Sequence, residues 1–222
     1  MKHLFVFFLS FIVISGKSQQ VLTFKNTEAY NPSASDQAIL SWNEKQMGYN
    51  KLTSDEKIFY YWVNYSRLKP KVFYDSVVVQ IVQALPQLEG KNFASLKTDM
   101  ENASDLPLLS LSEALRDMAS YHATDITSNN ASPSHESTNG DTFVDRFKKF
   151  GLKNCGGENI SYGSGGTNPL FMLILLYLDI NVNDLGHRKA LLNPSYINTG
   201  ISIEKFGNGN TFLVEDFACS QQ

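Results

Sequence analysis

Along the chain the apolar residues change their spacing three times, and each change marks a different kind of segment. The first is a run from Leu4 to Ile14, apolar but for Ser10, preceded by Lys2 and followed by Ser15, Gly16 and Ser18. That is the layout of a secretory signal peptide, assigned here to residues 1–18. The run falls short of the roughly 20 apolar residues of a membrane span. A mature chain starting near Gln19 then carries no integral membrane segment and is secreted or periplasmic. Residues 19–51 are mostly polar, with Ile39, Leu40, Trp42 and Met47 scattered among Ser, Asn and Gln, and read as an N-terminal extension packed on the domain.

From residue 52 a helical period takes over. Thr53 and Glu56 have capping-box spacing ahead of Ile58, Phe59, Trp62 and Val63, which predicts a helix ending near Lys69. Pro70 starts a second, through Phe73, Val77, Val78, Ile81 and Leu85. A shorter helical piece is expected around residues 93–100. Ser110 and Glu113 form another capping box, opening a helix with Leu111, Leu115, Met118, Ala119, His122 and Ile126. After the polar loop 128–133, Asp141 is expected to cap a short helix through Phe143 and Phe147 that Gly151 closes. Thr167 and Pro169 start a helix whose stretch Leu170–Leu178 is apolar on all sides and so central and buried. Gly186 opens a short helix that stops at Asn193-Pro194. The period then shortens to that of strands: Gly200–Phe206, a turn at Asn208-Gly209, and Thr211–Phe217 make a hairpin.

Composition adds exclusions. The formal net charge is −3 and no basic run occurs, so the electrostatic footprint of a nucleic-acid binder is missing. The glycines and serines at 163–166 are followed by no Gly-Lys-Ser/Thr and form a linker, not a phosphate loop. Cys155 and Cys219 are the only cysteines. In an exported chain they read as one long-range disulfide, with two free thiols as the alternative. A nucleophilic cysteine is disfavoured by the position of Cys219 at the chain end.

Candidate chemistry centres on Cys155-Gly156-Gly157-Glu158-Asn159-Ile160, where one carboxylate stands after permissive glycines in a segment of strand character. His135, in a polar loop, and His187, after Gly186, supply two imidazoles. Two imidazoles and a carboxylate can form a metal site or an acid/base pair. His122 lies inside a helix and is assigned to packing. Asp179 ends the apolar helix, where the helix dipole disfavours an anion, which points to a paired or ligating role.

These residues fall into an ordered series: Val63-Asn64-Tyr65-Ser66-Arg67 with Pro70, Ser134-His135, Asp145-Arg146, Gly157-Glu158-Asn159-Ile160, Gly186-His187-Arg188 with Leu192-Asn193-Pro194, Gly200-Ile201 and Asp216-Phe217. The series resembles the CAP superfamily (cysteine-rich secretory, antigen 5 and pathogenesis-related-1 proteins) in its bacterial SCP-like form, over residues 52–222. The resemblance implies an α+β fold, a three-layer α-β-α sandwich with a small antiparallel sheet between helical layers. It also implies a cleft with two histidines and two acids. His135, Glu158 and His187 match those positions; Asp179 stands for the second acid, although the tryptophan usual before it is absent. In some members the histidines hold a divalent cation, so Zn²⁺ or a similar ion on His135 and His187 is the expected cofactor. The function expected is a ligand- or surface-binding module, for a lipid, glycan or protein ligand. The alternative is a metal-dependent hydrolase in which Glu158 is catalytic and takes the proton of a metal-bound water.

Overall fold

Thr53 and Glu56 form the reciprocal cap that their spacing predicts: Thr53 Oγ1 accepts from the Glu56 amide at 3.2 Å, and Glu56 Oε2 from the Thr53 amide at 2.7 Å. The computed structural model describes residues 32–104, 106–164 and 167–221; the expected signal peptide and residues 19–31 lie outside them. In chain order the helices are α1 (Gln37–Glu44), α2 (Ser54–Leu68), α3 (Pro70–Phe73), α4 (Val79–Ala84), α5 (Lys91–Asn102), α6 (Glu113–Ser128), α7 (Phe143–Lys149), α8 (Pro169–Leu178) and α9 (Gly186–Leu191). The strands are β1 (Ser110–Leu111), β2 (Gly156–Gly163), β3 (Asn198–Lys205) and β4 (Thr211–Ala218). Among the described residues no helix is long and apolar enough to cross a membrane.

The helix expected from Pro70 is one helical run with a π-helical insertion at Tyr74–Val78 between α3 and α4. Its buried pairs, Phe73-Tyr74, Val77-Val78 and Ile81-Val82, recur every four residues. That period exceeds 3.6, and the wider turn keeps the pairs on one face. Two expected caps shift. Ser112, not Ser110, caps α6 through the Leu115 amide, and Thr142, not Asp141, closes a capping box with Asp145 at the start of α7. Leu111 is therefore a strand residue.

The sheet has the order β1-β3-β4-β2. β4 runs antiparallel to both β2 and β3, whereas two-residue β1 runs parallel to β3, so the sheet is mixed and not purely antiparallel. Past the end of β1, Glu56 Oε1 accepts the Ile203 amide at 3.1 Å and satisfies a donor on the open edge of β3.

All eight β4 residues are buried because helices cover both faces. Phe212 and Val214 pack with Ala119, Ala123 and Ile126 of α6, while Leu213 and Phe217 join the larger core of α2 and α8. These are the three layers of an α+β sandwich. Cys155 and Cys219, just beyond the paired ends Gly156 and Ala218, form the disulfide.

Candidate functional site

Glu158 is the third residue of β2. Strand alternation turns its side chain to the face that α6 covers and turns Asn159 to the other. Its carboxylate is 2 % exposed and both oxygens are engaged: Oε1 by His135 Nδ1 at 2.8 Å, Oε2 by Arg146 Nη2 at 2.6 Å. Arg146, on α7, is itself fully buried. Its Nη1 donates to the His135 carbonyl at 2.9 Å, so one guanidinium fixes both the acid and the loop that brings the imidazole. The His135 side chain remains about half exposed. Burial alone would raise the pKa of Glu158, but the hydrogen bond from His135 and the charge of Arg146 outweigh it and hold the carboxyl below its usual range.

The second imidazole is held the same way. Asp179 is the C-cap of α8 in the left-handed conformation, φ 46°. This costs a non-glycine residue energy that its bonds must offset. The Asp179 carbonyl accepts Asn92 Nδ2 at 2.6 Å, Oδ2 accepts the Arg188 amide at 2.9 Å, and Oδ1 accepts His187 Nδ1 at 2.5 Å. The anion expected to be misplaced at a helix end is thus paired, as its position suggested. Arg188, fully buried, ties α9 to α5 through Ser95 Oγ, Asp99 Oδ2 and the Asn92 carbonyl.

Both imidazoles border one cleft of about 450 Å³, lined also by Glu158, Lys189, Asn193 and Tyr196. Tyr196 stacks on Phe217, centroids 5.3 Å apart, and its hydroxyl lies over Gly157, where an added Cβ would meet it at 2.6 Å. Gly157 is therefore glycine for a packing reason. With Nδ1 of each histidine donated to a carboxylate, Nε2 is the nitrogen left with a lone pair, which is the arrangement of metal-binding imidazoles. Among the described residues no group of three or more His, Cys, Asp and Glu side chains is arranged to hold a metal ion.

His122 is buried in α6 and serves packing, as expected. Its Nε2 donates to the Ser134 carbonyl at 2.8 Å, which leaves Nδ1 to accept the Ser137 hydroxyl at 3.0 Å. Burial pushes its pKa down, which favours the neutral ring. Three groups that shape the site received no role from the sequence: Arg146, Tyr196 and Asp216. Asp216 sits opposite Glu158 in the β2–β4 register and is completely buried. The Asp-Arg pair after the histidine loop was a usable signal for Arg146. Asp216 stood in the Asp216-Phe217 motif without a role, and nothing local marks Tyr196.

The sequence model of the cysteine-rich secretory protein family, CAP, matches residues 60–217. Among solved structures the chain is similar to an extracellular protein containing an SCP domain from Bacillus anthracis, at 25 % identity and a TM-score of 0.44 over 62 % of this chain. The match spans 43 % of that protein's length. It is also similar to an outer surface protein from Borrelia burgdorferi, at 18 % identity and a TM-score of 0.43, covering 66 % of this chain and 95 % of the other. No curated protein matches the sequence.

Proposed function

The chain belongs to the cysteine-rich secretory protein family, and from that premise we propose that it is a secreted binding module whose ligand site is the cleft between His135 and His187. The observation that carries the reading is the paired restraint of the two imidazoles: each gives Nδ1 to a buried carboxylate, and both border the same cavity. Such restraint fixes ring orientation and tautomer before any ligand arrives, which lowers the ordering cost of binding. The Cys155–Cys219 disulfide supports an oxidising destination.

A divalent cation such as Zn²⁺ would be held by Nε2 of His135 and of His187, with water completing the coordination. Glu158 and Asp179 orient these ligands and are not ligands themselves. This reading also disfavours the hydrolase alternative, because both Glu158 oxygens are committed to Arg146 and His135. Calorimetric titration with ZnCl₂ tests it. The protein binds in the micromolar to millimolar range; His135→Ala and His187→Ala lose binding, and Glu158→Gln weakens it about 10- to 100-fold, as loss of an orienting partner does. No heat at millimolar Zn²⁺, or retention of binding by both alanine variants, rejects the cation site.

A further inference from the structure

Asp216 is a buried acid without a counter-ion of its own. On β4 it faces Glu158 of β2 across one ladder pair and Gly200 of β3 across the other. Its side chain is 0 % exposed, and no donor of the described residues faces either carboxyl oxygen. The charged and titratable groups around it are few. Glu158 is its ladder partner on the same face of the sheet, and Arg146 of α7 is near, with Nη2 bound to Glu158 and a buried Nε that meets no acceptor. His122 of α6 has its pKa pushed down by burial, and Glu215 is the adjacent residue on β4, turned to the opposite face. Gly200 contributes no side chain.

An ionised Asp216 would place a second anion against Glu158 in a buried site where no hydrogen bond of the described residues reaches it, and buried charge without a partner costs several kcal/mol. A neutral Asp216 resolves the geometry, since its O–H becomes the missing donor and a Glu158 oxygen the acceptor. We propose that Asp216 is a protonated carboxylic acid that donates a hydrogen bond to ionised Glu158, a positioning residue that holds Glu158 in line with His135. Glu158 is then fixed from three sides, by His135, Arg146 and Asp216, and the carboxyl pair carries one negative charge matched by the one guanidinium. Burial, with the neighbouring Glu158 anion, pushes the Asp216 carboxyl well above the usual carboxylate range, in keeping with this assignment.

The inference rests on the cleft reading only in treating His135 as a cleft group, and its test uses no ligand, so the two can fail separately. In protein with ¹³C-labelled carboxyls, the Asp216 Cγ resonance stays at the protonated position from pH 5 to pH 8 while Glu158 Cδ stays at the ionised one. An ionised Asp216 signal at pH 6 overturns the proposal without any mutation. Two substitutions then separate positioning from packing. Asp216→Asn keeps an N–H donor and preserves the Nδ1–H tautomer of His135 in ¹⁵N–¹H spectra. Asp216→Leu fills the space without a donor, and that single tautomer is lost. If Asp216→Leu folds and keeps the tautomer, or Asp216→Asn folds and loses it, Asp216 does not position Glu158. Should Asp216→Leu not fold, the carboxyl signals and Asp216→Asn decide.

Discussion

Glu215, one residue from Asp216 and on the other face of β4, shows how a buried acid survives beside an arginine that does not neutralise it. Arg67 lowers its pKa, but the guanidinium is spent on four backbone carbonyls, those of Pro107, Leu191, Asn193 and Tyr196. The acid has only a long bond from Thr199 Oγ1 at 3.4 Å, and burial pushes its pKa up to about 8. The consequence for stability has a definite sign. Between the unfolded value near 4.5 and about 8, the folded chain binds one proton that the unfolded chain does not. Stability is therefore complete below the unfolded value and falls as pH rises, by about 1.4 kcal/mol per pH unit for each such group. Asp216 acts in the same direction. Urea denaturation at pH 5 and pH 8 should show this loss, and Glu215→Gln should remove one group's share of it; equal slopes in both proteins would refute the assignment. At this scale His135, Glu158 and His187 stood out by their polar or glycine-flanked context, and Asp179 as an anion at the end of an apolar helix, where the dipole disfavours it. Arg146 and Asp216 stood only as members of the motif series and Glu215 not at all, since acids and arginines are almost never fully buried unless paired, and what surrounds each of them comes from other elements.

Gly200 shows the same limit for elements. β3 and α6 meet so closely that a Cβ at Gly200 would lie 2.1 Å from the Arg116 amide nitrogen and 2.1 Å from the Leu115 carbonyl carbon. Both are backbone atoms at the start of a helix, so no side-chain rotation relieves the clash. Gly200→Ala must push α6 away from the sheet, and the expected cost is at least the roughly 1–3 kcal/mol of an overpacked core. A melting temperature within a degree of wild type would show that α6 gives way freely. Elements with local signals were read well: the Thr53–Glu56 box, Pro70 and Pro169 at helix starts, and the hairpin around Gly209, whose φ is 82°. The misread start of α6 has a non-local cause. Ser110 has the right spacing to Glu113, but its amide donates to the Ile197 carbonyl at 2.9 Å and the Ser112 amide to the Thr199 carbonyl at 2.9 Å. Pairing with β3, almost ninety residues later, draws Ser110 into a strand and leaves the cap to Ser112. A two-residue strand carries no period of its own to read.

At the scale of the whole molecule the question is where the folding unit begins. The family match starts at residue 60 and the first strong helix signal at Thr53, which makes everything earlier look like an addition. The packing argues otherwise for α1. Ile39 is 0 % exposed and belongs to the same core as Phe59, Val63 and Leu173. Asn43 Oδ1 accepts Asn64 Nδ2 at 3.0 Å, and Asn64 Oδ1 in turn accepts the Leu109 amide at 2.8 Å, so α1 supports the residue that leads the chain toward β1. The Tyr61 hydroxyl accepts the Ser35 and Asp36 amides at 3.1 and 2.9 Å, tying the entry of α1 to α2. A mostly polar segment with scattered apolar residues gives little sign of this, because one buried isoleucine and one buried asparagine make no pattern. The consequence is measurable at one side chain. Ile39→Ala removes methyl groups from a closed core and should cost about 2–5 kcal/mol, the range for large-to-small substitutions in packed interiors. The loss should appear as a lower urea midpoint with an unchanged slope, meaning that α1 unfolds together with the sandwich in one transition. An early separate transition, or a loss below about 0.5 kcal/mol, would instead mark residues before Leu52 as an accessory that the domain can shed.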